Sequence, residues 1–86
     1  MPEPRLTRRA HKDLGALPET VQEAVLETLV SIGIDPEVAG KKLMGRLDDL
    51  WSARVGHYRV LYTVEHGQVI VRSIRHRAVA YARRCR

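Results

Sequence analysis

Hydrophobic and polar residues alternate with a period of two over most of the stretch from Leu50 to Arg77. Such alternation is typical of β-strands with one buried face, and here it predicts three successive strands. Two short breaks separate them, Gly56-His57 and His66-Gly67. Because Gly67 adopts the positive φ that a two-residue loop requires, the last two strands are predicted to form a tight hairpin.

The loop residues His66 and Gly67 fix the pairing of this hairpin. Glu65 then faces Gln68, and counting back along both strands places Arg59 opposite Ile74. Arg59 points away from the core, and Arg54 is a second candidate for that face, since the sequence does not fix the register of the first hairpin. The core face is predicted to carry Tyr58, Val60, Tyr62, Val64, Val69 and Val71.

Apolar residues follow helical spacing in the first third of the chain. Thr7 is suited to cap a first helix, which Gly15 ends or loosens, and a second helix is predicted between Pro18 and Gly33. Its buried stripe is predicted to be Val21, Ala24, Val25, Thr28, Leu29 and Ile32. Since each helix has one apolar face, we expect an antiparallel pair packed on the core face of the sheet.

The remaining segments are predicted to be short. Residues 3–7 can form an edge strand, because Pro4 lacks a backbone donor and is tolerated only at an edge. Residues 37–49 are interpreted as a polar connection anchored by Leu43 and Leu47. The last strand, from Gln68 to Arg75, is apolar on both faces except at two positions, which is typical of a strand with neighbours on both sides.

Charge is distributed unevenly along the 86 residues, whose net charge is +5. Residues 1–50 contain seven Lys and Arg against nine Asp and Glu, whereas residues 51–86 contain eight Arg against one acid, Glu65. The two parts therefore carry −2 and +7. Arginine has a planar fork suited to phosphate, so this basic part indicates a nucleic acid or another acidic partner.

Composition narrows the class of protein. The chain has no apolar run long enough to span a bilayer and no signal-peptide core, so no membrane association is expected. A single cysteine, Cys85, cannot form an internal disulfide, and the cytoplasm is the expected compartment. The four histidines and Cys85 lack the spacing of a metal site, so neither a metal nor another cofactor is expected.

Four ordered segments resemble the RelE/ParE toxin family of bacterial type II toxin–antitoxin systems: LPETVQEAVLETL, KKLMGRLDDLW, GHYRVLYTV and IRHRAVAY. The most specific feature is G-x-Y-R-V-x-Y, followed after the hairpin by H-R-x-x-x-Y. The resemblance covers nearly the whole chain and implies a single toxin domain over residues 1–86. It implies an α+β fold, in which two N-terminal antiparallel helices pack on one face of a small, twisted, mostly antiparallel sheet.

The resemblance implies two possible activities. RelE-like members are metal-independent ribonucleases that cut mRNA, typically on the ribosome, whereas ParE-like members inhibit DNA gyrase and have no nuclease activity. Both kinds are held inactive in a hetero-oligomer with an antitoxin that wraps around the toxin. We expect the RelE-like activity here. A plain nucleic-acid-binding module is a third hypothesis, but the sheet lacks the exposed aromatic residues that stack bases in RNA-recognition domains.

The family motifs fall on particular residues of this chain. Arg59 matches the arginine of the Y-R strand motif and is expected to stabilise the phosphate in the transition state. Tyr81 matches the C-terminal tyrosine, which positions the 2′-hydroxyl, stacks on a base or packs the tail. The second arginine is either Arg75 or Arg77, and His76 is the candidate proton shuttle because imidazole titrates near neutral pH.

Further cations are expected to bind the RNA backbone: Lys41, Lys42, Arg46, Arg54 and Arg72. The chain departs from the family at one point. Some active RelE-like toxins have two lysines on the strand before the Y-R strand, where this chain has Ser52 and Arg54. Arginine stays protonated and is a poor general base. Either another residue accepts the proton, or the activity is lower, or the protein is ParE-like.

Overall fold

The computed structural model describes residues 4–43 and 50–76, which form a layer of helices on one β-sheet. The helices are α1 (Arg8–Gly15), α2 (Glu19–Ile34) and α3 (Pro36–Ala39). The strands are β1 (Arg5–Leu6), β2 (Lys41–Lys42), β3 (Leu50–Val55), β4 (Tyr58–Glu65) and β5 (Gln68–His76). Among these residues, no helix is long and apolar enough to cross a membrane.

The five strands form one sheet in the order β1-β5-β4-β3-β2. All neighbouring pairs are antiparallel except β1 and β5, which run parallel. Strand β5 therefore has neighbours on both sides, as its apolar sequence predicts. The expected edge strand near the N-terminus is confirmed, although it comprises only Arg5 and Leu6.

The hydrophobic core lies between the sheet and the helices α1 and α2. It confirms the predicted pairing of an apolar helix stripe with the Tyr–Val face of the sheet. The helices contribute Ala10, Val25, Leu29 and Ile32, and the strands contribute Ala53, Val60, Tyr62, Val69, Val71 and Ile74. The opposite face of the sheet is not covered by these helices.

The beginning of α1 is joined to β5 by side chains. The Thr7 hydroxyl caps the helix by accepting a hydrogen bond from the Ala10 amide at 3.1 Å, and it donates one to the Arg72 carbonyl at 2.9 Å. Further along α1, the Asp13 carboxylate accepts a hydrogen bond from the Ile74 amide at 3.0 Å. These contacts satisfy polar groups of β5 at the point where β1 has ended, so they replace a longer edge strand.

The middle of the chain differs from the prediction. Helix α2 continues through Gly33 to Ile34, and Pro18 precedes the helix as its cap rather than starting it. The polar connection contains the short helix α3 and the strand β2, both of which the sequence analysis missed. They are too short to show a recognisable hydrophobic period. Leu43 is half-buried as expected, whereas Leu47 lies outside the described residues.

The second hairpin has the predicted loop and a changed register. His66 and Gly67 both have positive φ, 53° and 76°, as a tight hairpin of this kind requires. Pairing follows the prediction from Glu65 with Gln68 to Tyr62 with Val71, and it then shifts by one residue. Arg72 is the extra residue of this β-bulge.

The prediction that Arg59 faces Ile74 is therefore wrong. Beyond the bulge, Ile74 pairs with Val60, and Arg59 pairs with Arg75. A one-residue shift moves each following side chain of β5 to the other face of the sheet. The shift places Ile74 in the core and Arg75 on the open face.

Candidate functional site

Three arginines lie side by side on the sheet face opposite the helices. The register pairs Arg54 of β3 with Arg59 of β4, and Arg59 with Arg75 of β5. Residues directly opposite one another on antiparallel strands project to the same side, so the three side chains form a row across the sheet. We refer to Arg54, Arg59 and Arg75 as the arginine row. Arg54 thus lies on the same face as Arg59, as the sequence analysis considered.

The positive charge of the arginine row is not neutralised within the described structure. Over residues 4–43 and 50–76, neither Arg59 nor Arg75 makes an ion pair or a side-chain hydrogen bond, and Arg54 donates only a long one, of 3.4 Å, to the Gly56 carbonyl. Like charges opposite one another destabilise a sheet. Since an anion would remove this cost, the row has the properties of an anion-binding surface.

Arg72, the residue of the bulge, has a different environment from the row. Its guanidinium forms an ion pair with the Glu65 carboxylate and donates a hydrogen bond from Nε to the Thr63 hydroxyl at 3.3 Å. An internal acid therefore already balances this charge. The proposed contact of Arg72 with RNA stays a prediction, and it would require the side chain to share or exchange its partner.

His76 does not lie beside the arginine row. It pairs with Tyr58 across β4 and β5, and the two rings meet edge to face with their centroids 4.8 Å apart. Tyr58 packs against the core, so His76 lies on the helix side of the sheet, whereas Arg75 lies on the open side. The role of His76 as a proton shuttle stays a prediction, but this geometry does not support it.

The two lysines of β2 also lie on opposite faces. Lys41 pairs with Ser52, which shares the face of the arginine row, and Lys42 pairs with Trp51, which packs against the core. Both lysine side chains are exposed. Of these two predicted RNA-binding residues, Lys41 alone extends the positive surface of the row.

A pocket of about 430 Å³ opens next to the arginine row. Its basic side is formed by Lys41, Arg54 and Arg59, and Gly40 and Ser52 complete the lining. The other side is apolar and consists of Val38, Ala39 and Leu43. The hydrophobic pattern of the sequence does not predict this apolar side, because it comes from α3 and the residues around β2.

Tyr62 connects the core of the sheet to α3, which forms part of the apolar side of this pocket. Its ring lies in the core, and its hydroxyl donates a hydrogen bond of 2.6 Å to the Pro36 carbonyl in α3. Burial raises the pKa of this hydroxyl above its ordinary value of 10.0. Gly40 packs so closely that a Cβ atom there would lie 2.3 Å from the Tyr62 hydroxyl oxygen and 2.8 Å from the Ser52 carbonyl oxygen. Gly40 is thus required by this close approach.

Three of the predicted site residues lie outside the described residues: Arg46, Arg77 and Tyr81. Their roles stay predictions. Within residues 4–43 and 50–76, no three His, Cys, Asp or Glu side chains are grouped so that they could hold a metal ion. The described part of the site therefore consists of arginines, one lysine and a half-apolar pocket.

The described residues form an α+β domain with a basic face on its sheet, and comparison with known proteins gives the family. A model of the ParE toxin of the type II toxin–antitoxin system parDE matches residues 5–81. The chain therefore belongs to the RelE/ParE toxins of toxin–antitoxin systems, as the motifs predicted.

Individual relatives have the same fold and similar length. Toxin RelG of Mycobacterium tuberculosis is 38% identical over 82 residues, which cover 92% of this chain and 94% of RelG. Toxin RelE of the same organism is 35% identical over 79 residues, covering 88% of this chain and 81% of that toxin. A chain in the crystal structure of the M. tuberculosis toxin–antitoxin complex RelBE2 matches with a TM-score of 0.79 and 34% identity, covering 90% of this chain and 100% of that one. These similarities confirm the predicted fold.

Proposed function

We propose that this toxin is a metal-independent endoribonuclease that cleaves mRNA on the ribosome and so blocks translation. The observation that carries the proposal is the arginine row, which lies on the sheet face opposite the helices, with no acid of the described chain to neutralise Arg59 or Arg75. The similarity to toxins named RelG and RelE supports it. A ribonuclease that uses no metal needs such a cluster of cations to stabilise its transition state.

The proposed reaction uses the RNA as its own nucleophile. The ribose 2′-oxygen attacks the adjacent phosphorus and the 5′-oxygen of the next nucleotide leaves, which gives a 2′,3′-cyclic phosphate and a 5′-hydroxyl. One proton is removed from the 2′-hydroxyl and one is delivered to the leaving oxygen. Negative charge accumulates on the phosphoryl oxygens in the transition state, and fixed cations lower its energy.

Within this scheme the guanidinium groups of Arg59 and Arg75 bind the scissile phosphate. Arg54 and Lys41 bind the backbone on the β3 and β2 side of the sheet, where the register places them. Arg77 and Tyr81, from the tail beyond β5, are proposed to complete the site. Arg54 contributes charge rather than general base catalysis, because a guanidinium is a poor general base.

The proposed partner that controls this activity is a cognate antitoxin in a toxin–antitoxin hetero-oligomer. The related M. tuberculosis structure is a toxin–antitoxin complex. Two features of this chain suit a protein partner: the unbalanced arginine row and a set of large apolar side chains exposed on α2 and α3. These side chains are Leu26, Val30, Ile34 and Val38.

A ParE-like inhibitor of DNA gyrase is the second candidate function. It is favoured by the family model that matches the chain, which describes ParE toxins. The departure at Ser52 and Arg54 is compatible with it, because an inhibitor that only binds a protein needs no general base. The arginine row would then bind acidic side chains of the target.

The experiment that separates the two functions is primer-extension mapping of cellular mRNA after brief expression of the toxin. For the ribonuclease, we expect discrete cuts that disappear when translation is blocked. Intact mRNA together with breaks in chromosomal DNA would contradict the ribonuclease and support the gyrase inhibitor. Co-expression of the protein encoded beside the toxin should abolish either effect, and failure to find a neutralising partner would contradict the antitoxin proposal.

A further inference from the structure

The pocket beside the arginine row has a basic side and an apolar side. A nucleotide likewise has an anionic phosphate and a base with apolar faces. We propose that the pocket binds one nucleobase of the RNA, with the phosphate of the same nucleotide on the basic side. The proposal rests on the proposed function, which it deepens by assigning a base-recognition site next to the scissile phosphate. It makes Val38, Leu43 and Ser52 specificity-determining residues.

The apolar side of the pocket suits the flat face of a base. Val38 is 80% exposed, which leaves its surface available to a ligand. Leu43 lines the same pocket and is half-buried. The flat faces of a nucleobase are largely apolar, so burying one against these aliphatic side chains is favourable.

The basic side suits the phosphate of that nucleotide. Arg54 and Arg59 line the pocket and are direct neighbours in the arginine row. Arg54 uses Nε for its bond to the Gly56 carbonyl, so its terminal nitrogens can bind a ligand. Lys41 adds a third positive charge to the lining. Phosphate and base can therefore bind at the same time.

A small polar residue in the lining, Ser52, suits the polar edge of a base. Ser52 is a small residue opposite Lys41, and its face of β3 is shared with Arg54 two residues further on. Its hydroxyl can donate and accept hydrogen bonds, as recognition of a base edge requires. The volume of about 430 Å³ lies within the range of small-molecule sites. A larger side chain at position 52 would fill this space.

The decisive measurement compares adenosine 5′-monophosphate with ribose 5-phosphate, by isothermal titration calorimetry on the full-length toxin. The two probes carry the same sugar and phosphate, so their difference reports the base alone. We expect the nucleotide to bind roughly tenfold more tightly, as for the burial of about 55 Å² of apolar surface at ~25 cal/mol per Å². The other three nucleoside monophosphates then give the base preference. Equal binding of all probes would overturn the proposal.

Two variants locate the base. Ser52→Leu fills the pocket, and Val38→Ser removes part of its apolar side at an exposed position where folding is not at stake. Each should remove the advantage of the nucleotide while leaving ribose 5-phosphate binding nearly unchanged. The matched control is Ser31→Leu, the same substitution at an exposed position of α2. An advantage that survives in Val38→Ser and in a folded Ser52→Leu protein would place the base elsewhere and overturn the proposal.

The base-binding pocket and the ribonuclease activity can be disproved separately, because one is tested by mononucleotide binding and the other by mRNA cleavage. Binding of a mononucleotide requires neither a ribosome nor a cleavable bond. A toxin that cuts mRNA but shows no base-dependent binding contradicts the pocket alone. A toxin that shows base-dependent binding lost in Val38→Ser, but leaves mRNA intact, contradicts the ribonuclease and keeps the pocket. An acidic peptide that binds the pocket more tightly than any nucleotide would assign it to a protein partner and overturn the proposal.

Discussion

Arg59 lies between two other arginines, and its charge is a cost to the folded state that a ligand would remove. Replacing it by alanine relieves this repulsion and creates no cavity in the core, because the side chain is on the open face. We expect Arg59→Ala to change the free energy of unfolding by no more than about 0.5 kcal/mol. Single-turnover cleavage on programmed ribosomes should fall by roughly a hundredfold, as for the loss of one transition-state donor.

The charge-matched control for this variant is Lys12→Ala. Lys12 is exposed on α1, on the other side of the sheet, so its removal should affect neither cleavage nor stability by a comparable amount. An Arg59→Ala protein that cuts at the unmodified rate would remove Arg59 from the active site. A large drop in its melting temperature would instead show that the side chain supports the fold.

Tyr62 is the residue whose titration should be visible in protein stability. Its raised pKa means that the folded chain keeps the hydroxyl proton more firmly than the unfolded chain, whose tyrosine titrates near 10.0. This contribution is complete below pH 10 and is lost as the pH rises through the folded pKa. Denaturant unfolding of the unmodified protein should therefore show a loss of stability on the alkaline side.

The Tyr62→Phe variant isolates that contribution. At neutral pH it should be less stable by about 1 kcal/mol, because the hydrogen bond to the Pro36 carbonyl is lost. Since phenylalanine does not titrate, the difference in unfolding free energy between the two proteins should shrink as the pH rises above 10. A difference that stays constant up to about pH 11 would contradict the assignment of the buried hydroxyl as the titrating group.

At the scale of whole elements, the sequence analysis was most successful where the pattern is local. The Thr7 cap and the His66-Gly67 loop are decided by a few neighbouring residues, and both were correctly predicted. The bulge at Arg72 lies where β5 is contacted from 65 positions away in the chain, since the Thr7 hydroxyl donates a hydrogen bond to the Arg72 carbonyl. No local pattern contains that information, so the pairing of Arg59 was wrong.

The contact between α1 and β5 gives a test at this scale. Asp13 accepts a hydrogen bond from the Ile74 amide, at a position of β5 that lies beyond the end of β1. In Asp13→Ala this amide lacks its partner, and we expect a loss of roughly 1–3 kcal/mol in the free energy of unfolding, as for an unsatisfied and partly buried donor. Chemical denaturation of the purified protein measures this loss.

Arg9→Ala is the control that separates the two bonds of this carboxylate. This variant removes the ion pair between Arg9, whose side chain is 60% exposed, and Asp13. It leaves intact the hydrogen bond from the Ile74 amide to the Asp13 carboxylate. Exposed ion pairs contribute little, so this variant should be nearly as stable as the unmodified protein. Equal destabilisation by Arg9→Ala and Asp13→Ala would show that the link between α1 and β5 contributes nothing measurable.

For the molecule as a whole, the positive charge of the site could be predicted from the sequence, whereas the arrangement of its side chains could not. The excess of arginine after residue 50 indicated an anionic partner, and Arg54 and Arg59 were assigned from motifs and strand pattern. The alignment of these two with Arg75 needed the true register. The pocket needed α3 and β2, which bring Val38 next to strand residues that are distant in sequence.

Salt dependence tests whether this positive face binds a nucleic-acid backbone. Each phosphate contact with single-stranded RNA releases counterions and contributes about −0.7 to the slope of log affinity against log salt. The arginine row and Lys41 supply four cations on one face, so the slope should be about −3, and affinity should fall roughly fiftyfold between about 50 and 200 mM salt. The probe is a short RNA whose 2′-hydroxyls are methylated to prevent cleavage.

The Arg59→Ala variant sharpens this measurement, because the loss of one phosphate contact should reduce the slope by about 0.7 units. Lys12→Ala, on the other side of the sheet, should leave the slope unchanged. A slope near zero for the unmodified toxin would mean that phosphate contacts do not drive binding. The exposed apolar residues of α2 and α3 would then be the stronger candidates for its main interaction surface, and the toxin would have to act through a protein target.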